Sequence, residues 1–108
     1  MHIRIPAKRI REKFLIIYEL KGAQKAMVFL SKHYKIKPMR IILKGRKVGR
    51  NSEAVYVSGR AYFTKKGLRK ATILHEFYHH IAAQKSLELS ERIEEKEANS
   101  FSKQFLKN

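Results

Sequence analysis

Apolar residues recur at three- and four-residue spacing along the first third of the chain, at Ile10, Phe14, Ile17, Leu20, Ala23, Met27 and Leu30, with Lys and Arg on the opposite side. This is the period of an amphipathic helix, and it predicts helix from Ala7 to about Tyr34, with Gly22 as the point that divides it. Before it, Ile3-Arg4-Ile5 alternates and stops at Pro6, the pattern of a short edge strand. Pro38 cannot continue a helix, and Met39 to Lys44 reads as a strand ending at Gly45, where a basic loop runs on to Asn51. Ala54 to Val57 and Ala61 to Thr64 are two further strands around the turn signal Ser58-Gly59-Arg60, so residues 54 to 64 form a hairpin.

From about Gly67 to Gln84 the helical period returns with two apolar faces. One passes through Ile73, Leu74, Phe77 and Ile81, the other through Leu68, Ala71 and Ala82. His75 and His79 interrupt the second face and lie one above the other, so two imidazoles enter a buried stripe where polar groups need partners. After a short connection from Ser86 to Ser90, Ile93, Ala98, Phe101 and Phe105 predict a last helix from about Ser90 to Leu106. The expected fold is one α+β domain over residues 1–108. In it a small twisted sheet of three to four strands packs on a long N-terminal helix, a central helix carrying the histidines and a C-terminal glutamate helix.

The chain's 108 residues suit a single hydrophobic core, and 44% apolar content is ordinary for a globular domain. The longest apolar run, Phe14 to Tyr18, is far too short to span a bilayer, and no apolar signal core follows the basic N-terminus, which makes the cytoplasm the expected compartment. With no cysteine, disulfides, thiolate metal sites and cysteine nucleophiles are excluded, and metal ligands must come from His and Glu. Charge is unevenly spread: residues 1–74 hold 20 Lys and Arg against 3 Glu, and residues 75–108 hold 5 against 6, together a net +16. Such a field attracts nucleic acid, anionic membrane surfaces or acidic polypeptides, and a charged surface of this kind also occurs where heat stability is its only role.

The chemistry-bearing motif is His75-Glu76-Phe77-Tyr78-His79. Residues four apart on a helix share a face and can present two ring nitrogens to one Zn²⁺, while the intervening Glu76 falls beside the metal, where its carboxylate can take a proton from the attacking water. Two imidazoles leave such a site short of a third protein ligand, and no histidine follows His80, so the acidic group Glu91, Glu94, Glu95 and Glu97 must supply it. His80, about 100° round the helix from His79, is expected to be a surface or supporting group and not a ligand. Tyr78 is expected to pack, and Tyr56 and Tyr62 to form cross-strand pairs.

The pair His75-Glu76-x-x-His79 and Glu95-x-x-Ala98-Asn99 resembles the gluzincin peptidases, and is especially similar to the minigluzincins, small soluble zinc metallopeptidases related to the catalytic domains of membrane-embedded prenyl-protein proteases. The layout covers the whole chain; only the two motifs are specific at residue level, and Asn99 stands where many relatives have Asp. The resemblance implies Glu95 as third ligand, with Glu91 its competitor one turn away, and Asn99 as a group that orients a ligating histidine. Glu95, Asn99 and Ser102 share one stripe of the last helix, with Glu94 and Glu97 pointing elsewhere. The implied function is hydrolysis of a polypeptide substrate laid along a strand beside the cleft, in an enzyme kept latent as a zymogen. Exchange of the C-terminal helix between two chains, giving a homodimer, would provide that latency. Two alternatives stay open: a regulatory protease that cleaves a repressor, and a basic nucleic-acid-binding module with structural zinc.

Overall fold

A computed structural model describes residues 1–44 and 53–107. Helices α1 (Lys8–Lys21) and α2 (Ala23–His33) form the N-terminal pair, strands β1 (Arg40–Lys44), β2 (Ala54–Val57) and β3 (Arg60–Thr64) follow, and helices α3 (Lys70–Gln84) and α4 (Glu91–Leu106) complete the order. The fold is α+β: the described residues form four helices and a three-stranded mixed sheet. The break between α1 and α2 falls at Gly22, whose φ of 93° and ψ of 171° belong to a region that is nearly closed to residues with a Cβ. Its N–H still bonds Tyr18 and its carbonyl receives Ala26, so the chain bends there without losing backbone bonds.

The sheet order is β1-β3-β2, with β1 parallel and β2 antiparallel to the central β3. The β2–β3 hairpin turns at Ser58 and Gly59, both with positive φ, the two-residue turn whose twist suits a hairpin. Ala61 and Phe63 of β3 are buried beneath the helices, while Arg60 and Tyr62 alternate to the other face. The outer edge of β1 is capped by one side chain: the Gln24 amide donates to the Met39 carbonyl at 3.0 Å and its oxygen accepts from the Ile41 N–H at 2.8 Å. That leaves β2 as the edge that borders α3.

The core runs from Phe14 and Met27 through Phe63 and Phe77 to Phe101 and Phe105. Ser90 caps α4 by accepting from the Ile93 N–H, and Glu91 and Glu94 place negative charge at the N-terminal end of the helix dipole. Ser102 of α4 donates to the Ala71 carbonyl of α3 at 2.9 Å, fixing the register between those two helices.

The structure departs from the pattern of the sequence at four places. Ile3–Ile5 is not a strand: Ile3 buries its side chain in the core and the Arg4 carbonyl accepts from the Tyr34 hydroxyl at 2.6 Å, so the segment is held by side chains and not by a ladder. Leu20, one residue from the end of α1, is 78% exposed, and Ile93, in the first turn of α4, is 45% exposed. Both sit at helix ends, where continuing a stripe no longer finds a partner. Residues 67–69 are turn and lead-in, and α3 begins at Lys70. The basic loop expected from Gly45 to Asn51 lies outside the described residues. Among the described residues no helix is long and apolar enough to cross a membrane.

Candidate metal centre

One turn of α3 separates His75 from His79, and their Nε2 atoms stand 3.3 Å apart. Glu95 of α4 reaches across with both oxygens, Oε1 at 2.7 Å from His75 Nε2 and Oε2 at 3.1 Å from His79 Nε2. One donor atom from each of the three lies within 4.8 Å of the others. Tetrahedral bonds of about 2.0 to 2.1 Å put neighbouring ligand atoms roughly 3.3 Å apart, so the nitrogen pair is already spaced for one zinc ion and the carboxylate is close enough to complete three ligands. The donor set, two imidazoles and a carboxylate, could hold that metal. Glu95 meets the histidines of its own chain, so the set needs no exchange of the last helix to be complete.

The tautomer of His79 is fixed from behind. Its Nδ1 lies 2.5 Å from Glu94 Oε2, and since an ionised carboxylate only accepts, Nδ1 carries the proton and the Nε2 lone pair faces Glu95 and His75. The expectation that Glu94 points elsewhere is therefore corrected. An imidazole presents its two nitrogens in different directions, so adjacent residues of one helix reach them both. Asn99 lines the cavity beside His75, and among the described residues it makes no hydrogen bond to either ring. Glu91 lines the neighbouring cavity and makes no ion pair with either ring.

Glu76 is buried to 8% exposure beside the pair, with Oε2 3.9 Å from His75 Nε2. Burial raises its pKa above the usual carboxylate value; His75 and His79 oppose the rise and Glu95 adds to it. Two cavities of about 440 Å³ each flank the cluster and share Ala54, His75, Glu76 and Glu95 as lining. One continues toward Thr72, Asn99 and Lys103, the other toward Tyr56, His79 and Glu91. Both touch β2, so the sheet edge runs past the cluster.

Neighbouring polar groups serve the fold. His80, expected to be a surface or supporting group and not a ligand, is 1% exposed and supports the fold: Nε2 donates to the Lys37 carbonyl at 2.6 Å, and Nδ1 accepts from the Tyr56 hydroxyl at 2.8 Å, which itself accepts from Gly59 N–H. The carbonyl can only accept, which assigns the proton to Nε2, and burial lowers the pKa of this ring. The spacing Ile73, Phe77, His80 is itself a helical stripe and was the available signal. Tyr56 and Tyr62 sit opposite Ala61 and Val55 on different faces of the sheet. Tyr78 is fully buried against Phe101, ring centroids 5.5 Å apart, and its hydroxyl donates to Glu97. Desolvation opposes charge on Glu97, but Tyr78 and the backbone and ring of His2 outweigh it and hold the carboxyl down at about 2.

No family model, no curated protein and no solved structure matches the chain. The likeness to the minigluzincins accordingly rests on the residues of the two motifs, and the functional reading on the geometry just described.

Proposed function

We propose that the protein is a zinc-dependent peptidase whose metal ligands are His75, His79 and Glu95 and whose general base is Glu76. The observation that carries this reading is the convergence of the three donors with a buried carboxylate beside them, in cavities that border a sheet edge. Zinc held by such a set supplies Lewis acidity toward a carbonyl and makes a water acidic enough to attack near neutral pH. Glu76 takes the proton released by that water and returns it to the departing amine nitrogen. Glu94 holds His79 in the tautomer a ligand needs. The edge of β2 offers an extended polypeptide a strand to pair with, which would lay its scissile bond across the two cavities. Substitution Glu76→Gln keeps the shape and removes the base: zinc content should stay at the wild-type level while hydrolysis of a quenched fluorescent peptide library disappears. Cleavage that persists in Glu76→Gln removes Glu76 from this role.

A further inference from the structure

The sheet has a second face, turned away from α3, which the peptidase reading does not use. Arg40, Ile42 and Lys44 of β1 and Arg60 and Tyr62 of β3 alternate onto it, and Val55 and Val57 of β2 pair with Tyr62 and Arg60. Arg40, Lys44, Val57 and Arg60 are exposed, and among the described strand residues none on this face carries a carboxylate, the nearest being Glu53, one residue before β2, whose carbonyl accepts from Thr64 N–H. Tyr62 lies at its middle, between Ile42 and Val55, with the Lys44 ammonium 5.5 Å from the ring centroid.

Arg40 and Arg60 are direct partners in the β1–β3 register. Like charges placed opposite each other destabilise a sheet, and neither guanidinium has an ion-pair partner among the described residues. An anion between them relieves that repulsion. Along β3 the sequence is then cations at one end, an aromatic in the centre, and Lys44 on the neighbouring strand at the other end. Phosphate, base and phosphate occur in that order along a nucleic-acid strand.

We infer that this face binds single-stranded nucleic acid, with a base displacing the Lys44 ammonium from the Tyr62 ring and stacking there, and the flanking phosphates at the Arg40–Arg60 pair and at the displaced Lys44. A duplex keeps its bases stacked inside and cannot offer one to a ring embedded in a sheet, whereas an unpaired strand can. Acidic peptides and anionic lipids satisfy the arginines but have no use for Tyr62. The chain's concentration of positive charge in residues 1–74 adds long-range attraction to the same partner.

The test is fluorescence anisotropy of the full chain with labelled oligothymidylate and oligouridylate of roughly 12 nucleotides, a length within the range one small domain covers. Tyr62→Ala should weaken binding about 5- to 100-fold, and Tyr62→Phe should restore it, since stacking needs the ring and not the hydroxyl. Arg60→Glu should weaken binding and lower the slope of log affinity against log salt by about 0.7 or more, while its melting temperature holds or rises because Glu would pair with Arg40. Chelator should change none of these values, which separates this site from the metal centre. The inference is overturned if a duplex, heparin or phosphatidylserine vesicles bind as tightly as the single strands, or if folded Tyr62→Ala binds them like the wild type.

Discussion

Replacing Glu94 is the most informative perturbation near the candidate metal centre, because it leaves all three proposed ligands in place. Its carboxylate sits 2.5 Å from His79 Nδ1, and the side chain is 25% exposed, so the bond is partly shielded from water. Loss of a group that orients a ligating histidine typically weakens metal affinity 10- to 100-fold, about 1.4 to 2.7 kcal/mol, and the partial burial places Glu94→Ala inside that range. Glu94→Gln keeps an acceptor for the Nδ1 proton but removes the charge, and its loss should be the smaller of the two. The control is Glu91→Ala, which removes the same charge from the same turn of α4 without contact to the rings. Competition titration against a chromophoric chelator at fixed pH would give the three zinc affinities. Equal losses in Glu94→Ala and Glu91→Ala would mean that only the general negative field matters, and the orienting role would be refuted.

Phe101→Ala should destabilise the fold by about 3–5 kcal/mol, read from chemical denaturation, because the ring is fully buried between Tyr34, Tyr78 and Phe105 and its removal leaves a cavity between α3 and α4. A loss below 1 kcal/mol would mean that the two helices do not pack this way. Burial raises the Tyr34 pKa well above its ordinary value of 10.0, so its neutral phenol contributes stability that is fully present below pH 10 and is lost progressively above it, once the unfolded chain ionises first. Denaturation midpoints measured from pH 8 upward should therefore fall less steeply for Tyr34→Phe than for the wild type, and identical slopes would contradict the burial of this hydroxyl.

Much of the fold was legible because its elements obey local periodicities. The strand from Ala54 to Val57, the bend at Gly22 and the helix through His75 and His79 all follow from spacing and from residues with one conformational meaning. What escaped was settled by contacts between distant parts of the chain. Gln24 reads as one more polar position of a helix, yet it caps the edge of β1. Tyr78, Glu97 and His2 join the chain's two ends through a contact that no local pattern encodes. Within the site, the resemblance of the two motifs singled out Glu95 and the stripe it shares with Asn99 and Ser102 agreed, but that stripe treated Glu94 as an idle neighbour. Stripes describe where a Cα lies, whereas a glutamate is long enough to cross from one stripe to the next and meet the far nitrogen of an imidazole.

Whether the two helices build a metal centre is read most directly by elemental analysis of the purified chain by mass spectrometry after removal of loosely held ions. About one zinc per chain is expected in the wild type and in Glu76→Gln, and a severe loss in His75→Ala, His79→Ala and Glu95→Ala. Undiminished zinc in a folded His75→Ala/His79→Ala double variant would contradict that expectation.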